Sequence, residues 1–182
     1  MKNLFAPWRL EFITGKRPEG CVFCKLPSER NSSRENLVLH LGERAYVLMN
    51  RYPYTAGHLL VIPLRHTSDF TSLSREENLE ISDLLRRSLR VLGEVYRPDG
   101  FNLGINLGAA AGAGIREHLH WHVVPRWYGD TYFLPVLADT RSIPELLLQS
   151  YDRLHPGFVR VPGPEGRPVP GDEARLKGDR GS

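Results

Sequence analysis

The chain has 182 residues and a formal net charge of +3, with 41% hydrophobic and 25% charged residues. This length suits one domain with an ordinary apolar core, and the small positive charge permits anionic ligands without requiring them. The basic residues are scattered, and the densest cluster (Arg86, Arg87 and Arg90) is interpreted as the solvated face of a helix, so we expect no nucleic-acid partner. No apolar run approaches the roughly 20 residues that cross a bilayer, and residues 1–10 lack the features of a signal peptide. We therefore expect a cytoplasmic protein with no membrane partner.

The only two cysteines of the chain are Cys21 and Cys24, in the sequence C-V-F-C. One short-range pair is a poor structural staple, and disulfides are rare in cytosolic proteins. The pair therefore indicates either half of a metal site or a redox motif, although no thioredoxin-like pattern surrounds it.

Short strands are predicted in the first half of the chain. Residues 36–49 alternate loosely between apolar and polar, which favours two strands joined by a turn at Gly42 and Glu43. Leu59 to Pro63 is a short apolar run with the composition of a buried strand, and His66 follows its end.

The clearest helix is predicted from Arg75 to Arg97. Ser74 and Glu77 form a capping box at its start, and apolar residues recur at helical spacing along it. Pro98 and Gly100 predict its end.

The second half alternates strands with loops and ends in a tail. The predicted elements are a strand over 101–107, a loop rich in Gly and Ala over 104–114, a strand over 118–125, and a helix through Leu154 opened by a capping box of Ser142 and Glu145. From Pro156 onward Pro, Gly and charged residues dominate, which is typical of a flexible tail. The whole pattern predicts an α+β fold with a mainly antiparallel sheet.

Three histidines alternate along the predicted strand over 118–125. His118, His120 and His122 should share one face, because side chains on a strand point to alternate sides. Neutral imidazoles offer nucleophiles and metal ligands, and charged ones attract phosphate. A purely metal-binding H-x-H-x-H strand, or three histidines without a common role, are the alternatives.

These residues resemble the histidine triad (HIT) superfamily, whose signature is His-φ-His-φ-His-φ-φ. The match is carried by the following stretches: His118–Val124, Asn50–Pro53, Gly57–His58 and Val61–Pro63, with Leu4–Arg9 and Pro125–Thr131 resembling the bacterial diadenosine tetraphosphate phosphorylase branch. The resemblance implies a HIT-like fold with a five-stranded sheet, one long helix and one shorter helix. It places the domain, with an N-terminal zinc-binding segment, at 1–155, and the tail at 156–182.

The resemblance also implies the catalytic roles. The middle histidine of the family attacks the α-phosphorus, so His120 is the expected nucleophile. His122 would hydrogen-bond phosphate oxygens or the leaving group. Asn50 is expected to hold the ribose, although an Asn at this turn also has a structural explanation. His58 either supports the site or is simply a buried histidine.

The loop before the triad is the expected phosphate cradle. Asn106, Gly112 and Gly114 belong to a segment whose backbone N–H groups can approach an anion, although a flexible hairpin loop is the alternative. Many family members carry Gln-Ser or Gln-Thr where this chain has Gly114 and Ile115. The loss of that polar pair makes the hydrolytic members a worse match and leaves room for inorganic phosphate.

A zinc site is also implied by the resemblance. Members with an N-terminal C-x-x-C combine it with a histidine after the Ile-Pro strand and with the first triad histidine. The corresponding residues are Cys21, Cys24, His66 and His118. All four suit Zn²⁺, and with no open position the ion would be structural.

The resulting hypothesis is a homodimeric nucleotidyltransferase that cleaves diadenosine tetraphosphate with inorganic phosphate to ATP and ADP. A hydrolase that releases AMP differs only in the second nucleophile. A nucleotide- or metal-binding module without turnover is the third alternative.

Overall fold

The computed structural model describes residues 20–29, 34–130 and 145–160. Several sequence features therefore lie outside the described residues. They are the stretch Leu4–Arg9, the capping residue Ser142, Thr131 and residues 161–182.

Five strands of the described residues form one antiparallel sheet. They are β1 (Val38–Leu41), β2 (Ala45–Met49), β3 (Leu59–Pro63), β4 (Gly100–Ile105) and β5 (Trp121–Arg126). Their spatial order is β1-β2-β3-β5-β4, so the last strand in sequence lies between β3 and β4. Every residue of β2 and β3 is buried, which explains their continuous apolar runs. The predicted α+β fold with a five-stranded antiparallel sheet is confirmed.

Three α-helices accompany the sheet in the described part of the chain. They are α1 (Val22–Lys25), α2 (Arg75–Tyr96) and α3 (Leu147–Arg160). The predicted capping box of α2 is present: Glu77 N–H donates to Ser74 Oγ at 3.1 Å, and Ser74 N–H donates to Glu77 Oε2 at 2.8 Å. None of the described helices is long and apolar enough to span a bilayer.

Helix α3 ends at Arg160, whereas the composition predicted its end at Leu154 and a tail from 156. Phe158 is buried, and Arg87 of α2 donates to its backbone oxygen. Gly157 lies against α2 so closely that a Cβ there would come within 2.7 Å of Val91 Cγ1. The prediction that a tail starts at Pro156 is therefore wrong for residues 156–160. Gly157 belongs to the helix, where it allows close packing against α2. The solvated face predicted for Arg87 is wrong for the same reason.

The histidine segment is less regular than predicted. β5 begins at Trp121, so His118 and His120 precede the ladder rather than lying in it. Leu119 N–H donates to Thr67 O at 2.8 Å, a loop carbonyl beyond the end of β3. This segment therefore leaves the sheet to bond a loop, and strand alternation alone does not place its side chains.

Candidate active site

His120 has one ring nitrogen bonded to the backbone and the other available for chemistry. Its Nδ1 lies 2.9 Å from His118 O. Because a carbonyl oxygen only accepts, Nδ1 carries the proton, and in the neutral ring Nε2 then carries the lone pair. The side chain is buried, with the Phe23 ring centroid at 5.1 Å and the His122 ring centroid at 5.0 Å. His120 thus presents an oriented, unprotonated nitrogen, as a nucleophile requires.

A chain of hydrogen bonds assigns the proton of His122. Tyr54 N–H donates to His58 Nδ1 at 3.1 Å, so the proton of the neutral His58 ring is on Nε2. His58 Nε2 lies 2.9 Å from His122 Nδ1 and donates to it. The proton of His122 is then on Nε2, a buried atom with no hydrogen-bond partner among the described residues. A buried donor without a partner is costly, and it is expected where a ligand supplies the acceptor.

Burial keeps both of these histidines neutral. It lowers the pKa of His58 to about 3, with the neighbouring His122 adding to the shift. It likewise lowers the pKa of His122 to about 4, assisted by His120. Desolvation disfavours the imidazolium, so each ring keeps one N–H and one lone pair at neutral pH.

The turn before β3 positions His58. Gly57 has a φ of +75°, and a Cβ there would lie 3.0 Å from both Leu92 and the Tyr96 ring, so any other residue would be strained and crowded. Thr55 Oγ1 donates to Pro125 O at 3.1 Å and ties the turn to β5. His58 is therefore a buried histidine that supports the triad, which combines the two interpretations considered above.

Tyr54 is a site residue that the sequence did not indicate. Its ring stacks on His122, with centroids 5.9 Å apart and 17° between the planes, and it lies 4.6 Å from the His58 ring. It is 48% exposed. No spacing rule links it to the triad, because the contact is made only when the turn packs against β5.

Asn50 lies beside this chain of hydrogen bonds. Its Nδ2 is 3.3 Å from His58 Nδ1, and its Oδ1 accepts from Tyr52 N–H at 3.0 Å. The amide thus stabilises the turn that carries His58. A role in holding ribose stays a prediction.

The predicted phosphate loop follows β4. Ile105 pairs with Trp121, so Asn106 begins the loop next to the histidine segment. Gly112 N–H donates to Ala109 O at 3.0 Å, which commits this donor to the loop itself. Gly114 is exposed. Phosphate binding by Asn106, Gly112 and Gly114 stays a prediction.

The four residues of the predicted metal set come together. His118 Nδ1 lies 3.3 Å from Cys21 Sγ and 3.5 Å from Cys24 Sγ, and His66 Nδ1 lies 3.2 Å from Cys24 Sγ. All four potential ligand atoms lie within 4.8 Å of one another. Two thiols and two imidazoles at this spacing form a donor set of the kind that holds zinc.

The orientation of His118 also fits a metal ligand. Its Nε2–H donates to Pro63 O at 2.8 Å, so the lone pair is on Nδ1, facing the sulfurs. Burial raises the pKa of the Cys24 thiol to about 11. A bound divalent cation would oppose that shift, because it stabilises the thiolate.

The three triad histidines therefore have different partners. His118 belongs to the predicted metal set, which includes neither His120 nor His122. His122 faces His58 instead. The alternative of a single H-x-H-x-H metal site is wrong, because the three rings do not converge on one point.

Comparison with known proteins agrees with this geometry. An AP-4-A phosphorylase from Mycobacterium tuberculosis is 35% identical over 171 residues, which cover 89% of this chain and 87% of that protein. A bis(5'-adenosyl)-triphosphatase from Saccharomyces cerevisiae is 32% identical over 94 residues, covering 50% of this chain and 44% of that protein. The crystal structure of a zinc-bound histidine triad family protein from Mycobacterium smegmatis has a TM-score of 0.61 and 31% identity, covering 76% of this chain and 93% of that chain. The HIT domain family matches residues 31–128, and the chain therefore belongs to the HIT family.

Proposed function

We propose that the protein is a nucleotidyltransferase that cleaves diadenosine tetraphosphate with inorganic phosphate to ATP and ADP. The observation that carries the proposal is the fixed tautomer of His120, whose Nδ1–H bonds a carbonyl and whose Nε2 lies free beside an unpaired donor of His122. The relative named AP-4-A phosphorylase supports this choice of substrate.

In the first step His120 Nε2 attacks the α-phosphorus of the dinucleotide. The N–P bond forms as the bond from that phosphorus to the bridging oxygen breaks, and ATP leaves. Phosphoryl centres of this kind require mainly in-line positioning and stabilisation of charge. The His118 carbonyl oxygen positions the His120 ring by accepting its Nδ1–H. It also stabilises the positive charge that develops on the ring as the N–P bond forms.

His122 acts as a hydrogen-bond donor rather than as an acid. With a pKa of about 4 it is neutral at neutral pH, and a neutral imidazole N–H is a poor proton source. The leaving group needs no proton, because a terminal phosphate has a pKa of about 6 and leaves as an anion. The Nε2–H of His122 therefore stabilises negative charge on the phosphate oxygens of the transition state.

In the second step inorganic phosphate attacks the adenylyl group. An oxygen of phosphate bonds to the phosphorus, the N–P bond breaks, and ADP leaves with His120 restored. Many family members carry a polar pair where this chain has Gly114 and Ile115, and the missing side chain at Gly114 leaves room for this second anion.

Hydrolysis is the second candidate, favoured by the yeast relative named a triphosphatase. Water would then resolve the intermediate and AMP would leave. The experiment is a reaction on diadenosine tetraphosphate with and without phosphate, with product analysis. ADP that forms only with phosphate is expected, and AMP formation indifferent to phosphate would contradict phosphorolysis.

The covalent intermediate is tested separately. A quench without acid should trap radiolabelled AMP on His120 as a phosphoramidate. His120→Ala should lower turnover by about four orders of magnitude or more, because removal of a covalent nucleophile leaves only binding and electrostatic effects. The variant should still bind nucleotide, and unchanged turnover would instead favour a non-catalytic binding module.

We further propose that the four residues of the predicted metal set form a structural zinc site. Its support is the convergence of Cys21, Cys24, His66 and His118, together with the zinc-bound relative. With four protein ligands the ion leaves no open position for substrate. It would tie the N-terminal segment to the residue that holds His120.

A homodimer and a cytoplasmic location are also proposed. β4 lies at one edge of the described sheet, where Leu103 is 46% exposed, and Leu79 on α2 is 64% exposed. Exposed apolar side chains on a helix and on a sheet edge suit contact with a second copy. Light scattering coupled to size exclusion measures the mass, and a monomer at micromolar concentration would contradict the dimer.

A further inference from the structure

The two cysteines are placed so that they can bond to each other. Cys21 is the residue that caps the N-terminus of α1, and Cys24 follows three positions later inside that helix. Their Sγ atoms lie within 4.8 Å of each other. A disulfide therefore needs only a small adjustment of the backbone. Both cysteines are partly exposed, so a small oxidant can reach them.

The same pair is connected to the nucleophile by two routes. The first runs through His118, whose ring contacts both sulfurs and whose backbone oxygen holds His120 Nδ1. The second runs through Phe23, which lies between the cysteines in sequence and whose buried ring lies 5.6 Å from His118 and 5.1 Å from His120.

These routes begin at a cluster that exists only while the sulfurs are reduced. A thiolate binds a metal ion, whereas a disulfide sulfur does not serve as such a ligand. A reversible bond between the two sulfurs would therefore remove both sulfur partners from the His118 ring and leave the Pro63 carbonyl as its one hydrogen-bond partner among the described residues.

We propose that Cys21 and Cys24 form a reversible oxidation site that controls the reactivity of His120. The proposal rests on the proposed function, in which His120 is the nucleophile. With hydrogen peroxide as the oxidant, the Sγ–Sγ bond forms as the O–O bond breaks. The two sulfurs lose two electrons in total, and the peroxide gains them. The reduced peroxide takes up two protons, from the thiols or from water, and leaves as two water molecules. Any bound ion is released as a divalent cation.

The catalytic consequence is a misplaced nucleophile. The ring of His120 depends on the His118 carbonyl for both its tautomer and its direction. A displacement of about 1 Å in a reacting group costs on the order of 100-fold in rate, so partial loosening lowers the rate by about tenfold or more. Nucleotide binding, which we expect Asn50 and the loop before the triad to provide, should change less.

The experiment treats the zinc-loaded, full-length protein with increasing hydrogen peroxide. Three quantities are followed in each sample: free thiols per chain, zinc released to a chromophoric chelator, and the single-turnover rate of radiolabelled AMP transfer to His120. We expect the thiols and the zinc to be lost together, and the transfer rate to fall by about tenfold or more. Dithiothreitol with added zinc should restore all three.

Because the chain has only two cysteines, thiol loss reports this pair alone. The matched variant is Cys24→His, which keeps a nitrogen donor for the ion but cannot form the disulfide. The single-turnover transfer rate of this variant is measured before and after peroxide treatment, and the ratio of the two rates should stay near one. An equal fall in this variant, or failure of the reductant to restore the wild type, would assign the loss to damage elsewhere and overturn the proposal.

The outcome also separates this proposal from the function on which it depends. Transfer to His120 that persists after both thiols are lost overturns the oxidation site and leaves the nucleotidyltransferase intact. Absence of label on His120 in the reduced, zinc-loaded protein overturns both.

Discussion

His118 and His122 are the same residue type, four positions apart, yet they occupy two different chemical environments. The Nε2–H of His118 donates to Pro63 O, which leaves its Nδ1 lone pair facing two sulfurs. Nδ1 of His122 accepts from His58, which leaves its Nε2–H as a buried donor without a partner among the described residues. One ring is therefore oriented as a metal ligand requires, and the other presents a hydrogen-bond donor, as the proposed phosphate contact requires.

The difference shows that the partner of one ring nitrogen decides the chemistry of the other. The imidazole group itself is the same in both residues, so it does not cause the difference between them. His120, between them, has a third assignment because its Nδ1–H bonds a backbone oxygen. Substitution of His122 and removal of the metal perturb the two environments in turn, and each tests whether the other environment responds.

The largest expected effect is on the His122 side. His122→Ala removes the donor proposed to contact the phosphate, and loss of one such donor lowers kcat by about 10²–10³-fold. His122→Gln keeps a neutral donor that cannot act as an acid, so it should recover part of this loss. Single-turnover transfer of labelled AMP to His120 measures both. If Gln were no better than Ala, donation of a proton would be favoured over simple hydrogen bonding.

Metal removal should act on the His118 side. A zinc ion present at about a thousand times its Kd contributes roughly 4 kcal/mol, so stripping it should lower the Tm by roughly 10 °C. The control is His66→Asn, whose Tm should be lower at the outset and insensitive to chelator. Nucleotide affinity should change little in either case. Differential scanning calorimetry tests this, and equal Tm values for the wild type with and without chelator would contradict a structural ion.

Features set by nearby residues were predictable from the sequence. The capping box of Ser74 and Glu77 is made by residues three positions apart, and it forms as expected. The strands follow from local apolar patterns in the same way. The ligand types of the metal cluster were also predictable, since the resemblance identified Cys21 and His118 among its members.

Features set by distant contacts were not predictable. The departure of the histidine segment from the ladder depends on Leu119 bonding Thr67, and the extension of α3 depends on Gly157 packing against Val91. The stacking of Tyr54 on His122 joins residues 68 positions apart in sequence. No periodicity encodes such contacts, nor the bonds from His58 to His122 and from His118 to Pro63 that assign the proton positions of these rings.

A smaller effect is expected from the turn that carries His58. Gly57→Ala combines a φ of +75° with crowding by Leu92 and Tyr96, and it should destabilise the fold by about 2–3 kcal/mol. Gly112→Ala is the matched control, because its φ is +83° but its Cβ would meet open space. It should cost only about 1 kcal/mol. Urea denaturation compares them, and equal losses would show that the packing at Gly57 is unimportant.

The smallest effect concerns the segment that leads to His66. Arg65 bonds both carboxylate oxygens of Glu77, and this contact lowers the pKa of Glu77 from its ordinary 4.5 to about 2. A depressed folded-state pKa stabilises the protein above pH 4.5, and the gain is lost as the pH falls towards 2. Glu77→Gln should therefore cost about 1 kcal/mol at pH 7 and remove most of this pH dependence, because Gln preserves the capping box but not the ion pair. The exposed Glu94→Gln on the same helix should change neither. Denaturation midpoints from pH 7 to pH 3 measure the difference, and parallel curves for Glu77→Gln and the wild type would show that the ion pair adds nothing.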